Sequence, residues 1–269
     1  MTRARTTRRA AARLVGGLSA LALLGLGSGE TLAAWTDAKS VPGVTVQTGR
    51  VDVLVNGADS ITGFAGLSQD WWTPGTVRAA SLTVRNNGNL PAAYSVGFAG
   101  SNSAVHGALE RSVVVGGTPS GTGCSGGTPV GGAPLAPGAS ESICVEVRLK
   151  SNAETSVAGR TSDLGITVTG STTAGHWSDP VPVNGTRIAT PAIKAPTIAC
   201  SAPVLGQVTV SWGEVPGATG YRLYVAGLQV GDDLGSTARS VQIPTPLGLV
   251  KMRALFGSGT WESDLSAAC

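Results

Sequence analysis

Apolar and polar residues alternate with a period of two along much of the chain: at Val51, Val53 and Val55, at Leu82 and Val84, at Tyr94, Val96 and Phe98, at Ile143, Val145, Val147 and Leu149, and at Leu164, Ile166 and Val168. A strand with one face on a core and the other in water has this pattern, because successive side chains point to opposite faces. Turn chemistry separates the runs. Pro74-Gly75 and Pro137-Gly138 suit type II turns, and Asn86-Asn87-Gly88-Asn89 suits a tight reversal. The alternation restarts at Val208, Val210 and Trp212, at Tyr221, Leu223 and Val225, at Val241 and Ile243, and at Val250, Met252 and Ala254. No long amphipathic helical pattern competes with it. The expected class is all-β: a jelly-roll or immunoglobulin-like sandwich followed by a smaller sandwich.

Two stretches interrupt the alternation. Residues 116–138 are so rich in glycine, proline, serine and threonine that they predict a long surface loop, without the third-residue glycine of collagen. Pro180, Pro182, Pro191 and Pro196 predict a broken ladder and a stiff linker over residues 186–197. This gives a first domain over residues 34–185 and a second over residues 198–269. In the second, Val208-Thr209-Val210-Ser211-Trp212 and Val215-Pro216-Gly217-Ala218-Thr219-Gly220-Tyr221 resemble the second and third strands of fibronectin type III domains, which implies that Trp212 and Tyr221 pack in a core.

Charge changes the picture at the N-terminus. Arg3, Arg5, Arg8, Arg9 and Arg13 precede an uncharged, glycine-interrupted apolar run from Leu14 to Gly29. That is a signal-peptide pattern, shorter in its apolar part than the roughly 20 residues that cross a bilayer, so no permanent membrane span is expected. Thr31 and Ala33 have the small-x-small spacing of a cleavage site, which places the cut between Ala33 and Ala34. Thr7-Arg8-Arg9 leaves the general and twin-arginine routes both open. Removing residues 1–33 leaves 14 basic against 15 acidic residues, so the basic character of the whole chain resides in the leader. The remainder offers no electrostatic case for nucleic acid as a partner.

Cys124, Cys144, Cys200 and Cys269 fall two in each expected domain, and an even count in an exported chain favours disulfides. Three pairings are possible; the domain division favours Cys124 with Cys144 and Cys200 with Cys269. Because Ile143, Val145 and Val147 face the core, Cys144 should face outward and pin the glycine-rich stretch to the outside of its sheet. A zinc site would need a close cysteine pair, and none is present.

Chemistry must be sought with two histidines, His106 and His176, neither in a zinc-binding helix pattern. No serine stands in a nucleophile elbow, and Gly257-Ser258-Gly259 reads as a hairpin turn. Asp232-Asp233 reads as a solvated turn rather than part of a calcium shell. The expectation is a non-enzyme with no cofactor and no metal. Trp71 and Trp72 are candidate surface contacts: in a strand they would face opposite sides, leaving one ring for sugar or protein.

The junction Gly29-Glu30-Thr31-Leu32-Ala33-Ala34-Trp35-Thr36-Asp37 resembles that of the TasA and camelysin family, exported through a SipW-type signal peptidase. Thr48-Gly49-Arg50-Val51-Asp52-Val53, Thr73-Pro74-Gly75, the strand from Ala80 to Arg85, Asn86-Asn87-Gly88 and the strand from Ala92 to Val96 then resemble that family's elements in order. The resemblance implies a secreted, extracellular or cell-surface protein of a biofilm matrix type. It also implies assembly by strand donation, with residues 34–47 as donor and Val41, Val44 and Val46 as its anchors. The same segment folding back as its own domain's first strand stays open, as does a second function class, a secreted binding module for cell-wall polysaccharide or a protein partner. No zinc motif accompanies the peptidase activity described for camelysin, so that activity is not expected.

Overall fold

The structure is a computed structural model and describes residues 48–172, 176–244 and 249–269. The first part contains β1 (Val53–Val55), β2 (Val77–Asn86), β3 (Ala92–Gly100), the short helix α1 (Ser103–Gly107), β4 (Leu109–Val115), β5 (Thr118–Ser120), β6 (Gly123–Ser125), β7 (Thr128–Pro129), β8 (Ser140–Leu149), a single 3-10 turn at Thr155–Val157, β9 (Thr161–Thr172) and β10 (Ser178–Ala189). A five-stranded sheet in the order β1-β2-β8-β4-β7 faces a three-stranded sheet in the order β10-β9-β3. The rest contains β11 (Ile198–Cys200), β12 (Val208–Trp212), β13 (Gly220–Val225), β14 (Leu228–Gln229), β15 (Leu234–Gly235), β16 (Ser240–Ile243), β17 (Val250–Phe256) and β18 (Trp261–Glu262). These form the sheets β11-β12-β16 and β14-β13-β17-β18, with β15 also on β13. Every strand-to-strand ladder is antiparallel, and the all-β class follows directly.

The alternation places the cores. Ile143, Val145, Val147 and Leu149 of β8 are fully buried, as are Ile166 and Val168 of β9, while the intervening Glu146 and Arg148 reach the surface. Each such side chain contributes about 1.5–3 kcal/mol of burial free energy. Trp212 and Tyr221 are buried with ring centroids 5.5 Å apart, and the Tyr221 hydroxyl accepts the Val215 N–H at 3.1 Å. The core placement implied by the fibronectin type III resemblance is therefore the observed one. Both type II turns are present: Gly75 and Gly138 have φ of 86° and 79°, and the i to i+3 hydrogen bonds of Thr76 to Thr73 and Ala139 to Ala136 close them.

Three expectations need correction. The stretch expected as linker, 186–197, begins inside β10, which runs to Ala189. Pro180 and Pro182 do not break the ladder, because β10 is an edge strand of its sheet and they turn their missing N–H away from β9. Consistent with that, the Pro182 carbonyl points outward and accepts the N–H of Ile61. Residues 116–138 are not one structureless loop. β5 and β6 form a small hairpin there, and β7 adds to β4. Finally, Asn86-Asn87-Gly88-Asn89 is not a hairpin reversal but the crossover from one sheet to the other. The fully buried Asn86 amide donates to the carbonyls of Leu90 and Leu135, both at 2.8 Å, which fixes the crossing.

Residues 61–72 run along the outer edge of β10. Ile61 and Phe64 donate to the carbonyls of Pro182 and Asn184, Asn184 donates to Ile61, and Trp72 donates to Ala189, all at 2.7–2.9 Å. A bulge between Val183 and Thr186 makes room for the pairing. There Gly185 has φ of 110°, and a Cβ on it would lie 2.6 Å from the Phe64 nitrogen, so only glycine fits. The segment ends with Trp72 driven into the core at 0% exposure.

Gly49–Cys269 forms one compact unit. Trp261, also buried, donates its indole N–H to the Ala153 carbonyl at 2.6 Å. Gly257 packs so closely on Pro74 that a Cβ would sit 2.6 Å from its carbonyl oxygen. Trp72→Ala should cost about 3–5 kcal/mol in urea unfolding, whereas Trp71→Ala should cost less than about 1 kcal/mol. The reverse ranking would refute the assignment of Trp72 as the core anchor.

Candidate functional site

The most exposed feature of the hydrogen-bonding pattern is the edge of β3. Ala92 directs its N–H and C=O at Leu135 rather than at β9. In an antiparallel ladder the direction alternates, so Tyr94, Val96 and Phe98 turn theirs to the same outer side. Among the described residues nothing pairs with those groups. Across the interior, β7 covers only Val114 and Val115 of β4, so the facing sheet also ends there.

Between the two edges, core-facing side chains are only half-buried. Tyr94, Val96, Phe98, Val113 and Val115 pack on the core without being enclosed by it, while their neighbours one strand inward, Ile166, Val168 and Val145, are fully buried. Polar contacts close the two ends of this strip. The Arg111 guanidinium lies 5.9 Å from the Phe98 ring centroid and against both ring nitrogens of His106. At the other end the Tyr94 hydroxyl donates to the Glu141 carboxylate across the sandwich. What remains is a half-buried apolar strip beside backbone groups that no described residue pairs.

The other face of β8 is covered. Cys144 does face away from the core, yet it is fully buried, because the β5–β6 hairpin lies on it and the Cys124–Cys144 disulfide joins them with Cα atoms 5.9 Å apart. Glycine permits the close approach: a Cβ on Gly123 would meet the Glu146 carboxylate at 2.1 Å, and that carboxylate instead accepts the Cys124 N–H at 2.8 Å. Cys200 and Cys269 form the second disulfide.

The two tryptophans proposed as contacts separate. They lie outside any strand, so the alternation argument does not apply to them. Trp72 is corrected to a core residue, while Trp71 is 41% exposed. Trp71 borders an open groove of about 710 Å³ lined also by Ser68, Gln69, Asp70, Thr161 and Arg187.

The histidines lie far apart. His106 packs on Gly100 at one end of β3, whereas His176 precedes Trp177, whose carbonyl accepts the N–H of Thr172 opposite Ala92 at the other end. Eight residues of strand separate those ends by about 26 Å. Burial, then the Arg111 charge, push the His106 imidazole below its ordinary pKa. Among the described residues no group of three or more histidine, cysteine, aspartate or glutamate side chains could hold a metal ion. Asp233 is no free turn residue: Arg222 grips both its oxygens at 2.7 Å, which lowers its pKa. No helix among the described residues is long and apolar enough to cross a membrane. Ala33, Ala34, Val41, Val44 and Val46 lie outside the described residues.

No family model and no curated protein matches the chain. Among solved structures, a two-domain fibronectin type III segment of chicken tenascin is 14% identical, covering 81% of this chain and 96% of that one at a TM-score of 0.26. The YadV chaperone is 10% identical, covering 78% and 96%, at a TM-score of 0.29. Zebrafish RET cadherin-like domains 1 to 4 are 11% identical, covering 81% and 51%, at 0.34. Likenesses this distant carry no argument about function, and the fold class rests on the sheets themselves.

Burial first, then the hydrogen bond to Glu141 and its negative charge, hold the Tyr94 phenol well above its ordinary pKa. Unfolded tyrosine ionises near pH ~10. Above that pH the unfolded chain loses a proton that the folded chain keeps, so this stabilisation is full below pH ~10 and falls as pH rises further. Unfolding free energies measured from pH ~9 to ~12 should therefore decline more steeply for the parent than for Tyr94→Phe. Equal slopes would show that Tyr94 is not held in this way.

Proposed function

We propose that this chain is a secreted, non-enzymatic structural protein of the cell surface or extracellular matrix that assembles by strand donation. In this reading a SipW-type signal peptidase cuts between Ala33 and Ala34, and the freed residues 34–47 of one copy pair with β3 of the next. The observation that carries it is the open edge of β3, where the outward N–H and C=O groups of Tyr94, Val96 and Phe98 lie above a half-buried apolar strip. An added strand would satisfy those groups and enclose the strip in one step. The donor sequence supports this: Val41, Val44 and Val46 are β-branched residues that favour a strand, and Val44 and Val46, two apart, would face the strip together. The resemblance of the export junction to the TasA and camelysin family supports the same reading.

The test uses the chain beginning at Ala34 and a second chain lacking residues 34–47. Sedimentation and electron microscopy should show polymers for the first and monomers for the second. Val41→Asp, Val44→Asp and Val46→Asp combined should also abolish polymers, and a free peptide of residues 34–47 should cap the truncated chain. A parent that stays monomeric at high concentration, with the deletion changing nothing but stability, would overturn the proposal.

A further inference from the structure

We propose that the groove beside Trp71 is a carbohydrate-binding site for a neutral polysaccharide chain. The site is independent of the β3 edge: it lies on the opposite edge of the same three-stranded sheet, where residues 61–72 lie along β10.

The walls are fixed before any ligand arrives. On one side Ser68, Gln69, Asp70 and Trp71 are held between two anchors, the fully buried Leu67 and Trp72. Gln69 donates its side-chain amide to the Trp71 carbonyl at 2.7 Å, and Ser68 accepts the N–H of Arg187 at 3.3 Å. On the other side Thr161 and Arg187 stand on the solvent face of β9 and β10. The buried Thr190 also lines the groove. Its hydroxyl donates to the Val157 carbonyl at 2.6 Å and accepts the N–H of Arg160 at 3.0 Å. Gly217 packs closely on the base of the Trp71 ring: a Cβ there would lie 3.3 Å from the indole Cγ and 2.5 Å from Pro191, and φ of 80° excludes most other residues. Trp71 is therefore packed at the base of its ring while 41% of the residue stays exposed.

The chemistry of the lining selects the ligand class. A pyranose ring has an apolar face of C–H bonds and an equatorial rim of hydroxyls. Indole offers a large, flat apolar surface for the face. A carboxylate and a guanidinium each bridge two neighbouring hydroxyls, as acceptor and donor pairs respectively. Asp70 and Arg187 both line this groove and neither forms an ion pair with another described residue; even Asp163, directly opposite Arg187 in the ladder, is not within ion-pair reach. Two charged groups without partners, one of each sign, leave the groove without net charge, which disfavours polyanions such as nucleic acid or teichoic-type phosphates. Ser68, Gln69, Asp70, Thr161 and Arg187 supply the polar groups around Trp71, and the remaining lining is largely the small residues Gly159, Ala189 and Ala192, over which the apolar face of a sugar can lie. A groove of about 710 Å³ that is open to solvent admits an internal stretch of a polymer.

The experiment titrates the chain from Ala34 onward with a panel of neutral oligosaccharides: β-1,4-linked N-acetylglucosamine, glucose and xylose, α-1,4-linked glucose, and mannose oligomers. Calorimetry and tryptophan fluorescence should find a member that binds with a Kd below about 1 mM. Trp71→Ala should weaken that binding at least tenfold, as should Arg187→Ala, while Asp70→Asn should weaken it several-fold and Tyr224→Ala should leave it unchanged. Circular dichroism and urea unfolding of each variant exclude loss of fold. Binding of none of the panel by the parent, or undiminished binding by folded Trp71→Ala and Arg187→Ala, would overturn the proposal. Neither result depends on polymerisation, since the chain lacking residues 34–47 should bind the same sugar with the same affinity.

Discussion

A sheet edge leaves backbone N–H and C=O groups that must be paired, covered or hydrated, and the pairing of residues 61–72 with β10 is where this chain meets that constraint. The segment donates from Ile61, Phe64 and Trp72 and accepts from Asn184. Its consequences reach in both directions. Inward, it delivers Leu67 and Trp72 to the core, and Trp72 leads straight into the Pro74-Gly75 turn on which Gly257 packs. Outward, it carries Gln69, Asp70 and Trp71 along the rim of a groove. A side chain at Gly185 would collide with the backbone of Gly63 and Phe64, so one glycine conformation underlies both the core anchor and the exposed indole.

The other edge of the same sheet is handled differently. Among the described residues the outer edge of β3 meets a partner at Ala92 and then none, although its core-facing residues are apolar and only half-buried. A soluble sandwich usually protects such an edge with charge, proline or a bulge. Here Arg111 over Phe98 and the Tyr94–Glu141 hydrogen bond close the ends of the strip and leave its middle, at Val96 and Val113, to be filled. That asymmetry, one edge sealed and one edge waiting, is the physical basis on which strand donation is proposed.

The period-two alternation made most of this fold legible, because long strands such as β2, β8 and β9 repeat the pattern enough times to be unmistakable. What escaped had local physical causes. Pro180 and Pro182 read as breakers because sequence does not say which way a missing N–H points, and on β10 it points away from the ladder. Strand geometry would send Trp71 and Trp72 to opposite faces, but residues in an irregular segment do not alternate. β5, β6 and β7 are too short to show a period. The alternation of its neighbours turns Cys144 outward, but the hairpin that buries it shows in the sequence only as a glycine-rich run. Asp233 looked like a solvated turn because its partner, Arg222, sits across the ladder formed around β13. The groove was half legible: an adjacent tryptophan pair marked the place, while Arg187 and Thr161 arrive from other strands with no sequence signal.

The two proposed activities place different demands on one sheet, and its geometry reconciles them. β3 and β10 are separated by β9 alone, so the donor edge and the groove edge lie about 10 Å apart across the strands. A strand added to β3 would extend the sheet away from β10 and stiffen β9 from one side. Arg187 and Thr161 are on the strands that this addition braces, not on the edge it occupies. Polymerisation would therefore leave each groove open and repeat it along the assembly. Weak sites repeated in this way bind a long polymer far more tightly than any one of them, because each engagement raises the local concentration for the next. A single shallow groove suits a glycan poorly as an isolated receptor, but it suits one as a repeating element of a matrix.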